Sequence, residues 1–492
     1  MYDVIIFTDL TESHSGDFPA PVKSLGAYQI ASVLRENGYK VKVVDYFIWL
    51  LENYKEELFQ WIDENIRGVK IVGFSTTFLS PFNVSNRNRK SRAALGVSIT
   101  KRDARPEFGE LLNILDKWKK KQSMKILLGG QGVQTGPMIK IYNKEIDHWF
   151  RGLSEDVLLK FLKNWKWDGH PRIIEDSSLT PAHYDFHNMS PTFDKSDIVY
   201  SYESLPMEIS RGCRFKCKFC GFALIGRKMT EEYIRSKDKI FNELMHNYEN
   251  FGTTNYNILC DTFNESNEKL LMMKEIFDEF NKITGEQIHF NSYLRLELLH
   301  RFPEQINMLR DMGIIGINLG IETLHYPSAK AVGKGIKTED VYKTVSTMRK
   351  SWGKEARIHS GFILGLPHET RETANKCMTS LYNGELDLTT WKLTALRINT
   401  NRRNEYLVST FDKESDKYGY KMIDNKRWEN EHWSFDECDD IAIEWARKYA
   451  LKGIVKFSDH PWGYINYKNG ITNENHQTGD GVFEKYCNNL FQ

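Results

Sequence analysis

The stretch Arg211-Gly212-Cys213-Arg214-Phe215-Lys216-Cys217-Lys218-Phe219-Cys220-Gly221 puts three thiols into one short loop, where they can converge on a single metal centre. Thiolates are soft ligands that select zinc, copper(I) or iron-sulfur clusters, and four of them normally complete an all-protein cluster site. The next cysteine, Cys260, stands at the end of an apolar run and reads as a buried core thiol. A cluster held by three cysteines leaves one iron open to a small molecule. Structural zinc would want a fourth Cys or His close by, but His187 and His246, the nearest histidines, lie far outside the loop.

The pattern Cys-x-x-x-Cys-x-aromatic-Cys, with Phe219 as the aromatic, resembles the signature of the radical S-adenosylmethionine (radical SAM) superfamily. The resemblance implies a 4Fe-4S cluster on Cys213, Cys217 and Cys220, flanked by Phe219 and Gly221. It also implies S-adenosylmethionine chelated to the open iron and cleaved by one electron to a 5′-deoxyadenosyl radical. The electron would come from an external donor such as flavodoxin or ferredoxin.

Downstream of the loop, strand and helix patterns alternate. Strands are expected at Leu205 to Ile209, Tyr256 to Leu259, Ile288 to Tyr293, Ile314 to Leu319, Ile358 to Ile363 and Thr390 to Ile398. Helices are expected near Thr230 to Phe251, with Thr230 as N-cap, and near Glu268 to Asn281, Pro303 to Met312, Thr338 to Trp352 and Thr370 to Tyr382. Six such units suggest a barrel-like parallel sheet with its chemistry at the carboxyl ends of the strands. The superfamily resemblance implies a partial (β/α)6 barrel. It also assigns S-adenosylmethionine contacts to Asp261 and Thr262 on the amine side, to Arg295 and Glu322, which contact the cofactor or each other, and to Gly361, Ile363 and Gly365 on the adenine side. His368 stands where the family's Gly-Leu-Pro-Gly-Glu-Thr turn has its second glycine.

Upstream, Val4 to Phe7, Val41 to Asp45, Lys70 to Ser75, Lys125 to Gly130 and Asp147 to Phe150 read as strands, with a helix from Pro21 to Glu36. The expectation is a doubly wound, Rossmann-like parallel sheet, whose ligands sit beyond the carboxyl ends of its strands. Those ends carry Ser75-Thr76-Thr77, Gly129-Gly130 and Arg151-Gly152-Leu153-Ser154-Glu155. In this order they resemble the cobalamin-binding domain that precedes many radical SAM cores. The resemblance implies that Ser75, Thr76, Gly129, Gly130 and Gly152 face the nucleotide tail. The Asp-x-His-x-x-Gly motif that gives other cobalamin proteins a histidine ligand is absent, since Asp9 and His14 are wrongly spaced.

The expected layout is a cobalamin-binding-like domain over residues 1–165, a linker over 166–199, the radical SAM barrel over 200–400 and a mixed α/β C-terminal segment over 401–492. An insertion from Phe78 to Gln122 gathers Arg87, Arg89, Lys90, Arg92, Lys101, Arg102 and Arg105; its second half, from Phe108, has helical spacing. The C-terminal segment carries Trp428, Trp433, Trp445 and Trp462, with a helix near Cys438 to Leu451, while Cys377, Cys438 and Cys487 read as buried thiols.

With 67 basic and 66 acidic residues among 492, the formal charge is +1, which gives no global field toward nucleic acid or an anionic membrane but leaves nucleic acid open as a partner. No apolar run approaches the ~20 residues of a membrane span, and the strand pattern at Met1 to Phe7 is not a secretory leader. A cytoplasmic protein is expected, in keeping with clustered free thiols.

The functional expectation is a radical SAM enzyme acting on a small molecule, with cobalamin-dependent methyl transfer as one outcome. The alternatives are a radical SAM rearrangement or dehydrogenation with a non-cobalamin N-terminal domain and, in another class, a non-catalytic zinc-binding adaptor. Methylthiotransferases need further N-terminal cysteines, yet none precedes Cys213, and auxiliary-cluster maturases need a cysteine-rich segment near the C-terminus.

Overall fold

The computed structural model describes residues 1–9, 23–77, 79, 104–130, 133, 141–142, 144–175, 185–200, 203–221, 234–400, 408–451 and 482–492. The chain forms two compact units: Met1–Glu203 with Asn242–Thr253 and Ile471–Gln492, and Ser204–Phe241 with Thr254–Gly470.

In the first unit, β1 (Val4–Phe7), β2 (Val41–Val44), β3 (Ile71–Ser75), β4 (Lys125–Gly129), β5 (His148–Arg151) and β6 (Ile173–Glu175) form one sheet in the order β2-β1-β3-β4-β5-β6. Every pairing in it is parallel. β1 and β2 are buried along their whole length, as strands covered on both faces must be. One core cluster is aromatic: Phe7 packs on Phe47 (4.9 Å between centroids) and on Phe74 (5.3 Å), and Phe74 packs on Phe108 (5.2 Å). Phe108 belongs to the helix α4 (Pro106–Lys121), following α1 (Leu25–Glu36), α2 (Phe47–Asn53) and α3 (Lys55–Asn65). α4 starts with proline at its first turn, buries Phe108, Leu111, Leu112 and Leu115 on one stripe, and ends on Lys119, Lys120 and Lys121, which suit the negative end of a helix. Another helix, α5 (Glu155–Lys163), follows β5.

Three differences from the sequence reading stand out in this unit. Residues 166–199, read as a linker from their prolines, contribute β6, and within them Asp197 takes both guanidinium nitrogens of Arg35 on α1 (2.7 and 2.8 Å). The helices α2 and α3 also fall where no element was expected. Of the segment read as a C-terminal domain, residues from Ile471 onward belong to the first unit. There the Tyr486 hydroxyl accepts a hydrogen bond from Asp45 N (2.7 Å), and its ring packs edge-on against Tyr46 at 4.7 Å. The basic residues Arg87, Arg89, Lys90, Arg92, Lys101 and Arg102, Trp462 and the cap Thr230 lie outside the described residues.

In the second unit, β7 (Leu205–Met207), β8 (Asn255–Ile258), β9 (His289–Arg295), β10 (Ile314–Glu322), β11 (Arg357–Leu364) and β12 (Thr390–Ala395) pair in sequence order, all parallel. Among the described residues β7 and β12 form the two edges of this sheet. The helix α6 (Lys237–Phe251) follows β7 in the chain and from Asn242 on belongs to the first unit; α7 (Asn267–Thr284) is capped by Ser266, which accepts from Lys269 N at 3.2 Å, and ends at Gly285 with φ 75°. Then come α8 (Leu296–Arg301), α9 (Glu304–Asp311), α10 (Tyr326–Ala331), α11 (Thr338–Trp352) and α12 (Arg371–Asn383), the last opened by a Thr370 capping box. The short helices α8 and α10 were not expected. A short helix, α13 (Thr410–Glu414), a hairpin of β13 (Lys421–Met422) and β14 (Trp428–Glu429), and the helix α14 (Phe435–Leu451) complete this unit. Among the described residues no helix is long and apolar enough to cross a membrane.

Candidate active site

The cysteine loop leaves the carboxyl end of β7 and turns at Gly212, whose φ of 87° favours glycine. The Gly212 N–H donates to Asp261 Oδ2 at 3.0 Å, which ties the loop to the segment after β8. Cys213 and Cys217 are 8 % and 9 % exposed, Cys220 is half-buried, and all three are free thiols. Cys213 Sγ lies 3.2 Å from Thr262 Oγ1 and accepts from Phe215 N at 3.4 Å. Arg295, the last residue of β9, aims one guanidinium nitrogen at Cys217 Sγ (3.2 Å). Its other terminal nitrogen reaches Glu297 (3.0 Å) and the Gly333 carbonyl (2.6 Å), and the guanidinium stacks over Phe215 at 4.1 Å. Beyond the thiols, Lys218 N donates to the Val332 carbonyl (3.1 Å) and Lys218 O accepts from Phe411 N (3.0 Å). The loop is thus fastened on both sides. Phe219 is half-buried and Gly221 buried.

Among the described residues no three His, Cys, Asp or Glu side chains are close enough to share one metal ion. A cluster does not ask that of its cysteines, each of which binds a different iron. The donor set, three free thiols with a guanidinium and a hydroxyl on two of the sulfurs, fits an iron-sulfur cluster that needs thiolates and outer hydrogen bonds. Burial pushes the Cys213 thiol up, so a metal binding there must displace its proton.

Around the loop the charges alternate. Asp261 is pushed up to about 7, by burial first and then by the Glu208 carboxylate, against the Gly212 N–H that it accepts. Arg295 and Glu322, expected to contact the cofactor or each other, do not form a pair. Arg295 bonds Glu297, while Glu322 Oε1 lies 3.4 Å from Lys334 Nζ. The cause is a register shift between Gly320 and Glu322 against β11, with Glu322 at φ 69°, which re-aims its side chain. Burial raises the Glu322 carboxyl, and Lys334 opposes the shift. Lys334 Nζ also donates to the Gly320 carbonyl at 3.2 Å.

The structure brings Asp261, Thr262, Arg295 and Glu322 to the same end of the sheet as the cysteines. Among the described residues Gly361 has no atom within 4 Å of where a Cβ would stand, its chain neighbours aside, and Ile363 is half-buried. Gly365 has a different setting. A Cβ there would come within 2.3 Å of the Trp428 ring, and the Gly365 carbonyl accepts from Tyr420 OH at 2.7 Å, so its smallness serves packing. His368 adopts φ 65°, the left-handed backbone that glycine would have had there.

Two positioning groups escaped the sequence reading. Lys269 is fully buried and its ammonium joins Glu265 (2.9 Å), Ser210 Oγ (2.6 Å) and the Thr262 carbonyl (3.1 Å), linking α7 to both flanks of the loop. The available signal was a lysine on the apolar stripe of α7, next to Leu270 and Met273. Lys334, the partner of Glu322, carried no such signal.

In the first unit the carboxyl ends of β3 and β4 are joined. Thr76 N and Oγ1 both donate to the Gly129 carbonyl, at 2.8 and 2.7 Å. Gly130 (φ 92°) is pressed so closely on Thr77 that a Cβ would lie 2.9 Å from its N and Oγ1. Ser75 is half-buried, and Gly152, at φ 88°, forms the turn after β5.

Residues 207–381 match the model of the Radical SAM superfamily. Among curated relatives, the chain is 28 % identical over 188 residues to an uncharacterized methyltransferase of Pyrococcus horikoshii, a match that covers 35 % of this chain and 38 % of that protein. The chain therefore spans well under half the length of that relative. Among solved structures it is similar in fold to the radical S-adenosylmethionine methyltransferase TsrM from Kitasatospora setae (TM-score 0.56, 16 % identity, 86 % of this chain and 79 % of that one). It is also similar to the cobalamin-dependent S-adenosylmethionine radical enzyme OxsB (TM-score 0.50, 13 % identity, 85 % and 56 %). At these identities the likeness concerns the fold.

Proposed function

We propose that the protein binds a 4Fe-4S cluster through Cys213, Cys217 and Cys220 and uses S-adenosylmethionine to start radical chemistry on a small molecule, with cobalamin-dependent methyl transfer as the outcome. The observation that carries this reading is the pair of contacts on the thiols, Thr262 Oγ1 at Cys213 and Arg295 at Cys217, at the carboxyl end of a parallel sheet. When bound, the cluster supplies the electron that cleaves the cofactor's sulfonium. The chain's own part is to hold and orient. Asp261 and Glu322 offer carboxylates to an ammonium, Arg295 offers a cation, and the open backbone at Gly361 offers room for an adenine. An external one-electron donor such as flavodoxin or ferredoxin completes the system.

Cobalamin is supported by the paired loops of the first unit. Ser75, Thr76, Gly129, Gly130 and Gly152 lie where an open parallel sheet binds its ligand, and OxsB, which shares the fold, is cobalamin-dependent. The test is anaerobic reconstitution with iron and sulfide, followed by dithionite and S-adenosylmethionine. About four irons per chain and formation of 5′-deoxyadenosine are expected. Stoichiometric zinc, with neither iron-sulfur absorption nor cleavage, would overturn the reading.

A further inference from the structure

The segment Asp261-Thr262-Phe263-Asn264 ties the cysteine loop to the end of β9. β8 pairs with β9 only as far as Asn257, opposite Asn291, yet β9 runs on to Arg295. The chain after β8 takes over that edge. Asp261 and Thr262 meet the loop, at Gly212 N and Cys213 Sγ, while Phe263 N donates to the Tyr293 carbonyl at 2.8 Å and Asn264 bonds Arg295.

Asn264 is fully buried, and its amide grips the Arg295 backbone twice: Oδ1 accepts from Arg295 N at 2.9 Å, and Nδ2 donates to Arg295 O at 3.2 Å. A primary amide can accept from an N–H and donate to a C=O at once, as a neighbouring strand would. Nδ2 also donates to Gln305 Oε1 at 3.2 Å, and the buried Gln305 donates from Nε2 to Asn267 Oδ1 at 2.7 Å, in the first turn of α7. On its other edge Arg295 pairs with Gly320 of β10. Its backbone is thus held from both sides, and its guanidinium reaches Cys217 Sγ at 3.2 Å.

We infer that Asn264 is a positioning residue for the iron-sulfur cluster, acting through Arg295 by keeping its guanidinium on the Cys217 sulfur. The arginine side chain is long, so a small turn of its peptide moves the charge off a sulfur at hydrogen-bond distance. Hydrogen bonds and charge at the ligand sulfurs tune a cluster's potential, and a cation there favours the reduced form. Asn264 is neutral and bonds Arg295 and Gln305, so its route to the cluster is Arg295. The inference rests on the radical SAM reading of the same loop and adds to it a residue that sets the electron's entry.

The test uses the full-length protein reconstituted anaerobically with iron and sulfide, in redox titrations followed by EPR. Asn264→Leu and Gln305→Met leave the local charge unchanged and remove the hydrogen bonds. Asn264→Leu, with about four irons retained, should lower the midpoint potential toward that of Arg295→Gln, by up to a tenfold change in the ratio of reduced to oxidised cluster, ~59 mV for one electron. Gln305→Met should shift it less, in the same direction. Asn264→Leu combined with Arg295→Gln should match Arg295→Gln alone, a result that a general loosening of the fold would not give. Where Asn264→Leu does not fold, Gln305→Met and its combination with Arg295→Gln decide in its place. A wild-type potential in the folded variant with its iron retained, shifts that add in the double variant, or an Arg295→Gln potential equal to wild type would each overturn the inference and leave the radical SAM reading standing. A wild type that takes up no cluster removes that reading, and the inference with it.

Discussion

A guanidinium nitrogen of Arg295 stands 3.2 Å from Cys217 Sγ, so the end of β9 is bonded directly to the middle thiol of the loop. A cation at a ligand sulfur stabilises the more negative, reduced form of a cluster more than the oxidised form. Arg295→Gln should therefore lower the cluster's midpoint potential. A differential of about 1.4 kcal/mol corresponds to ~59 mV for one electron. Redox titration followed by EPR should show a drop of that order with iron content retained, and Arg295→Lys should recover part of it. An unchanged potential would confine Arg295 to its contacts with Glu297 and Gly333.

Glu369 gives a pH signature that is independent of any cofactor. Its carboxylate accepts from Gly365 N at 2.6 Å, and burial pushes its pKa from 4.5 up to about 7 against the Gly365 and Leu366 N–H groups. An acid raised on folding holds its proton longer in the native state. The stability that it permits is complete below about 4.5, declines as the pH rises, and is lost once the pH has passed about 7. Glu369→Gln keeps a carbonyl acceptor for Gly365 but cannot titrate. The variant should melt above wild type at pH ~8, by an amount equivalent to roughly 1–3 kcal/mol, and the gap should close toward pH ~5. Parallel melting curves across that range would contradict this assignment.

Gly365 and Trp428 should be energetically coupled. An alanine methyl at Gly365 would stand 2.3 Å from the indole, on a backbone at φ 82°, while the indole N–H is held by the Leu396 carbonyl at 2.9 Å. Gly365→Ala should cost about 2–4 kcal/mol, from overpacking plus backbone strain. Trp428→Phe should also destabilise, yet the double variant should be less destabilised than the sum of the two, because the smaller ring makes room. Denaturant unfolding of the four proteins gives the cycle, and strict additivity would show that the strain is relieved elsewhere.

The two sheets were legible because buried parallel strands read as continuous apolar runs, and because β3, β4, β9 and β10 each end in polar or glycine residues. β6 was hidden. It is three residues long and lies in a proline-rich stretch, too short for any periodicity. The return of Tyr486 to Asp45 is a contact across most of the chain, and local pattern carries no such information. The contact of Glu322 with Lys334 was hidden for a related reason: a one-residue shift in β10 re-aims the side chain, and only the fold reveals it. At His368 the local rule favoured glycine, yet the turn keeps its left-handed backbone with an exposed histidine.

The loops of the first unit permit a test of cobalamin binding that leaves the second unit untouched. Gly130 is a poor target, since a Cβ at 2.9 Å from Thr77 N would deform the Ser75-Thr76-Thr77 loop itself. Gly129 is better. A Cβ there would meet Phe150 Cβ at 3.6 Å, an ordinary contact, so the backbone can stay in place while a branched side chain adds bulk to the crevice. Hydroxocobalamin added to the reconstituted wild type should bind at tens of micromolar or below. Gly129→Ala should weaken binding little and Gly129→Val by about tenfold or more, which is roughly 1.4 kcal/mol, with the iron content of all three equal. Corrin absorption bands report the binding directly. If wild type leaves the bands unchanged at ~100 µM, methyl transfer from cobalamin falls, and the first unit binds something else. If Gly129→Val binds as tightly as wild type, the corrin sits elsewhere on the protein.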